Sequence, residues 1–172
     1  AVVMDLDGVV WAGSEPVPGI YDLLDYFKAS HKKIFFMTNN SVNTRKELLA
    51  KLNHLEISCS LEQLYSSGYE SGLFLLERNC RQKVFIIGSK GLKEEYQNLG
   101  IEIVSHENCK FLVVGYSPGL VYEDICLGME AVMQGAKFNA CNVDGKYPIE
   151  KGKYLPGCGA VVGAISAASR RM

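Results

Sequence analysis

Apolar residues in this chain fall into short continuous runs, and between the runs the apolar positions recur at helical spacing. Ala1-Val2-Val3-Met4 is the first run, bounded by Asp5, Asp7 and Gly8. A short apolar run closed by a turn residue suits a strand buried on both faces. Val10 to Gly19, with Pro16 and Pro18, reads as a loop. Ile20, Leu23, Leu24 and Phe27 then predict a helix over Gly19 to Ser30, and Lys33-Ile34-Phe35-Phe36-Met37 a second strand that delivers Thr38-Asn39-Asn40-Ser41. This is a βαβ unit. Its right-handed crossover makes the two strands parallel, so their carboxyl ends share one edge, where ligands bind in open α/β sheets.

Asn43 and Thr44 have the character of caps for a helix running through Leu48, Leu49 and Leu52 to Leu55. A short strand at Gln63 to Ser66 and a helix from Gly68 to Asn79 follow. The pattern then restarts near Arg81. Strands are predicted at Lys83 to Gly88, Ile101 to Val104, Phe111 to Gly115 and Lys137 to Cys141, and helices at Leu92 to Leu99, Tyr122 to Gly135 and Ala160 to Arg171. The expectation is an α/β protein with two domains, residues 1–80 and 81–172, each with its own sheet, joined near Asn79 to Lys83.

Composition narrows the function. With 172 residues, 48% of them hydrophobic, the chain can bury a core and is not a disordered segment. A net charge of −1 provides no basic field for nucleic acid, which points to a small-molecule partner. Cys59, Cys80, Cys109, Cys126, Cys141 and Cys158 are widely spread without a C-x-x-C pair, and no signal peptide precedes them, which predicts reduced thiols and a cytoplasmic location. No apolar run approaches the ~20 residues of a membrane span.

The chemistry concentrates where the first two strands end. Asp5 and Asp7, two residues apart at a strand end, can hold a divalent cation such as Mg²⁺ through oxygen while one carboxylate stays available for covalent or proton-transfer work. A calcium loop is excluded by spacing, because Val9 and Pro16 occupy the positions where such a loop needs oxygen ligands. Thr38 at the start of a helix, with the backbone N–H groups of Asn39 and Asn40, makes a cradle for phosphate. Asn142 and Asp144 read either as an Asx turn or as a loop facing substrate. Trp11 reads as packing.

Asp5-Leu6-Asp7-Gly8-Val9-Val10-Trp11 together with Thr38-Asn39-Asn40-Ser41 resembles the haloacid dehalogenase superfamily. Val113-Val114-Gly115-Tyr116, Gly135-Ala136-Lys137-Phe138, Asn142-Val143-Asp144 and Pro156-Gly157-Cys158-Gly159-Ala160 resemble its 4-nitrophenylphosphatase, phosphoglycolate phosphatase and pyridoxal phosphatase branch, which carries a large α/β cap. The resemblance implies part of a Rossmann-like core followed by that cap. It implies Mg²⁺-dependent hydrolysis of a small phosphorylated metabolite, with Asp5 as nucleophile forming an aspartyl-phosphate and Asp7 as general acid/base. Mg²⁺ would sit on the Asp5 carboxylate and the Asp7 carbonyl, and phosphate on Thr38, Asn39 and Asn40, with Asn142 and Asp144 on the substrate side. A homodimer through the cap is the macromolecular partner it implies.

Two departures shape the expectation. Ser117 stands where relatives often carry an acidic residue after the Gly-aromatic pair, and the family's later lysine and acidic metal motifs are not among these residues. The 172 residues by themselves are therefore expected to be a poor enzyme, and Ala1 in place of Met implies missing leading residues. The rival reading is a non-catalytic protein of the same fold that binds a phosphorylated ligand or partner.

Overall fold

The first apolar run forms β1 (Val2–Met4), and the structure, a computed structural model, describes residues 1–77, 83–149 and 153–170. The chain after β1 folds into a hairpin, β2 (Trp11–Ala12) against β3 (Glu15–Pro16), closed by the two residues Gly13 and Ser14. The loop expected from Val10 to Gly19 thus contains two paired strands, each too short for alternation to reveal. Helix α1 (Ile20–Ala29) follows with Ile20 and Leu24 buried, Asp22 in its first turn and Lys28 in its last, both favourable to the helix dipole. Next come β4 (Ile34–Thr38), α2 (Arg45–His54) and β5 (Leu64–Ser66).

β4 lies between β1 and β5 in a three-stranded sheet, with both pairings parallel and Val2 opposite Ile34, Met4 opposite Phe36 and Thr38 opposite Ser66. Parallel pairing puts the carboxyl ends of all three strands on one edge. Leu6, Val10, Trp11, Phe36, Leu52 and Leu64 are almost wholly enclosed in the core of this unit.

The second compact unit gathers residues 39–44 and 67–172, whereas the first holds 1–38 and 45–66. The chain therefore passes between units at three peptide bonds, after Thr38, Thr44 and Ser66. Helix α3 (Ser67–Glu77), which the sequence pattern attaches to the first domain, clusters with the second unit, and residues 78–82, most of the expected joint, lie outside the described residues.

Within the second unit, β6 (Val84–Ile87), β7 (Phe111–Val114) and β8 (Lys137–Ala140) form a separate parallel sheet in that order, with α4 (Lys90–Asn98) and α5 (Tyr122–Met133) in the connections. The strand expected at Ile101 to Val104 reduces to one bridge between Ile103 and Val84, on the edge of β6 away from β7. A hairpin of β9 (Lys146–Pro148) and β10 (Tyr154–Pro156) leads into α6 (Cys158–Ser169).

Gly159 lies so close to the preceding loop that a Cβ there would stand 2.2 Å from the Val143 carbonyl oxygen, and its N–H donates to the Asp144 carbonyl at 2.9 Å. Only glycine permits that approach. The start of α6 therefore braces Val143 and Asp144.

A polar knot sits in this unit's core, where the Ser71 hydroxyl is 2.8 Å from the Tyr96 hydroxyl and 3.3 Å from the Cys141 sulfur. Burial pushes the Cys141 thiol up to about 12, with nearby Cys158 adding to the rise and Ser71 opposing it. Burial also raises Tyr96, helped by Cys141. Both groups hold their protons more tightly folded than unfolded, so their contribution to stability is complete below about pH 9 and is lost as pH rises toward 12. The urea midpoint is expected to fall between pH 8.5 and 10.5 and to fall less steeply in Cys141→Ala; parallel slopes for the two proteins would contradict this account.

Candidate active site

The segment after β1 turns back on the Leu6 carbonyl, which accepts from the N–H groups of Val9 at 3.3 Å, Val10 at 2.9 Å and Trp11 at 3.1 Å. Gly8 takes φ 83°, a backbone that side-chain-bearing residues rarely adopt, which is why the turn after Asp7 needs glycine. Leu6 is buried while Asp5 and Asp7 are exposed. The strand's alternation thus carries three residues past its end, to Asp7, and puts both carboxylates on the open side.

The Asp5 carboxylate accepts the Leu6 N–H at 2.8 Å through Oδ1. Asp7 is held more fully. Its Oδ1 accepts the Trp11 indole N–H at 2.9 Å, and its Oδ2 lies 3.5 Å from the hydroxyl of Thr38, buried at the end of β4. The structure therefore brings Asp5, Asp7 and Thr38 together on the carboxyl edge of the first sheet.

Thr38 differs from expectation in one respect. It ends a strand and does not start a helix, since α2 begins only at Arg45. The intervening loop is shaped by Asn40, whose Oδ1 accepts the N–H groups of Val42 at 2.9 Å and Asn43 at 3.0 Å. That Asx-type turn, which the side chain offers in competition with helix, delays the helix.

Asn39, Asn142 and Asp144 meet in the second unit. The Asn39 carbonyl accepts the Asn142 amide at 2.9 Å and the Ser67 hydroxyl at 2.7 Å, and the Asn39 amide donates to the Asp144 carboxylate. Asn142 Oδ1 in turn accepts the Asp144 N–H at 3.2 Å, so the Asx turn is real and its amide is also a clamp on Asn39. Ser41, 1% exposed, accepts the Tyr116 N–H at 3.0 Å, and Ser89 donates to the Val42 carbonyl at 2.6 Å. These bonds tie Ser41 and Val42 to the sequence-distant Tyr116 and Ser89, and no spacing rule announces them.

The open donors at the strand ends are all oxygens, carboxylates and main-chain carbonyls, which fits a hard cation such as Mg²⁺. Among the described residues no group of three or more His, Cys, Asp or Glu could hold a metal. Asp5 and the Asp7 carbonyl are the ligands these residues would offer it. Among them, too, no helix is long and apolar enough to cross a membrane.

The chain is 30% identical over 169 residues to the acid sugar phosphatase of Staphylococcus epidermidis, a match covering 98% of this chain and 65% of that protein. It superposes with a TM-score of 0.92 on p-nitrophenyl phosphatase from Archaeoglobus fulgidus, at 30% identity over 99% of this chain and 64% of the other. For 4-nitrophenylphosphatase from Thermotoga maritima the TM-score is 0.91 at 26% identity, over 99% of this chain and 64% of that one. The chain thus spans about two thirds of the length of these relatives. A profile of haloacid dehalogenase-like hydrolases matches residues 2–102, and with the paired aspartates and Thr38 on one strand edge, this chain belongs to that family.

Proposed function

We propose that the protein carrying this chain hydrolyses a small phosphorylated metabolite with Mg²⁺, through an aspartyl-phosphate on Asp5. The observation that carries the reading is the meeting of Asp5, Asp7 and Thr38 at adjacent strand ends, with both carboxylates exposed and the Asp7 carboxylate tied by its neighbours. Phosphoryl transfer asks a protein chiefly for positioning and for neutralisation of the equatorial oxygens. An Asp5 oxygen attacks phosphorus as the ester P–O bond breaks, and Asp7 gives its proton to the leaving oxygen. Asp7 then takes a proton from water as that water attacks the aspartyl-phosphate, which releases phosphate and restores Asp5. Bound Mg²⁺ supplies charge neutralisation beside Asp5.

Thr38 and the main-chain N–H groups of Asn39 and Asn40 serve the phosphate, and Asn142 and Asp144 the substrate side. The names of the relatives make sugar phosphates and 4-nitrophenyl phosphate the natural first substrates. A division of labour between a core, residues 1–80, and a cap, 81–172, belongs to this reading, as do a cytoplasmic location and a homodimer formed through the cap.

Purified full-length protein is expected to hydrolyse 4-nitrophenyl phosphate and at least one alkyl phosphate with Mg²⁺, and to lose that activity in EDTA. A protein that binds phosphate esters without turning any over would favour the non-catalytic reading.

A further inference from the structure

Trp11 is 1% exposed, yet its indole N–H is not spent on a backbone carbonyl. It donates to Oδ1 of Asp7 at 2.9 Å. The backbone prepares this contact: Trp11 N–H reaches the Leu6 carbonyl at 3.1 Å and its own carbonyl accepts the Gly8 N–H at 2.7 Å, so the residue is held on both sides of the Asp7-Gly8 turn. On the ring's face stands the Lys51 ammonium, 4.1 Å from the centroid, and the same ammonium donates to the Gly13 carbonyl at 2.8 Å. A cation over an indole face is attracted by the ring quadrupole. Lys51 on α2 therefore pins both the ring and the hairpin that carries it.

Indole is a donor only, so Oδ1 of Asp7 is the acceptor in this bond, which favours its charged form. The other oxygen, Oδ2, lies 3.5 Å from the Thr38 hydroxyl and is the better placed of the two to exchange a proton. Resting on the phosphatase reading above, we propose that Trp11 and Lys51 are positioning residues for Asp7, the indole N–H fixing Oδ1 and the ammonium fixing the indole so that Oδ2 faces the leaving oxygen.

Desolvation lowers Lys51 and the Asp7 charge partly opposes the shift, so the ammonium that holds the ring is itself within electrostatic reach of the aspartate. Nothing in the residue types announces this. An aromatic four residues after the second aspartate packs in most folds, and a lysine on α2 is ordinarily a solvated face.

The test uses the full-length protein with 4-nitrophenyl phosphate, whose leaving group departs without protonation, and an alkyl phosphate, whose leaving group does not. Trp11→Phe keeps the ring for Lys51 and removes only the N–H. It is expected to lower kcat on the alkyl phosphate about 10- to 100-fold, the scale of a small misplacement of a reacting group. On 4-nitrophenyl phosphate, which needs no leaving-group proton, the loss should be clearly smaller and confined to slower activation of water in the second step, with KM little changed on either substrate.

Lys51→Met should reproduce the same asymmetry more weakly, and Lys51→Arg, which keeps a cation over the ring, should restore it. Independently of turnover, the indole N–H cross-peak assigned by its loss in Trp11→Phe should move upfield in Asp7→Ala. Equal losses on both substrates in an active wild type, or an indole peak that does not move, would overturn the positioning role. A wild type that turns over neither substrate would overturn the phosphatase reading, and the positioning role with it.

Discussion

Asparagine at position 5 is expected to abolish phosphatase turnover and covalent trapping of phosphate in the full-length protein. The exchange keeps the size of the side chain and an oxygen that can still accept the Leu6 N–H, now at 2.8 Å, so the strand end has no reason to rearrange. What it removes is the negative oxygen, in the proposed mechanism at once the attacking atom and a carboxylate ligand for Mg²⁺. Loss of a nucleophile costs on the order of 10⁶ in kcat where it has been measured in a hydrolase. Because Asp5 is exposed and outside the buried core, the thermal midpoint should be close to that of the wild type, separating lost chemistry from lost fold. A variant that keeps more than about 1% of the rate would deny Asp5 this role, since general acid catalysis or binding alone rarely leaves so much.

The two sheets were legible because buried parallel strands write themselves as continuous apolar runs. Val2–Met4, Ile34–Thr38, Val84–Ile87 and Phe111–Val114 all carry that mark and all form strands. Ile101 to Val104, a pattern interrupted by Glu102, forms only a single bridge, from Ile103 to Val84. The paired two-residue strands at Trp11–Ala12 and Glu15–Pro16 are shorter than any period they could display.

At the site, Asp5, Asp7 and Thr38 could be placed together from strand order alone. Asn142 and Asp144 could be seen as a turn, but their hold on Asn39 spans more than a hundred residues and leaves no trace in local pattern. Gly159 illustrates the same limit. Its sequence motif is visible, whereas the reason for it, the Val143 carbonyl where a Cβ would go, exists only in three dimensions. The division of compact units at Ser66 shows that a covalent restart of pattern and a packing boundary need not coincide, because α3 packs with α4 after completing the first βαβ series.

Asp7 is the aspartate whose substitution should depend on the substrate. Asparagine there can still accept the Trp11 indole N–H, so the turn that carries it should persist, but its amide N–H is far too weak an acid to protonate a departing alkoxide. Protonation of the leaving group is worth roughly 10² to 10⁴ in rate when the leaving group is a strong base. Asp7→Asn should therefore cut kcat on an alkyl phosphate by about that range. On 4-nitrophenyl phosphate, whose phenolate leaves unaided, the first step is spared, and the loss reflects only slower activation of water in the second. Under those conditions the aspartyl-phosphate on Asp5 should accumulate, visible as a burst of about one 4-nitrophenolate per active site ahead of a slow steady state. Equal losses on both substrates without a burst would make Asp7 a structural residue of the turn and shift the proton-transfer role elsewhere.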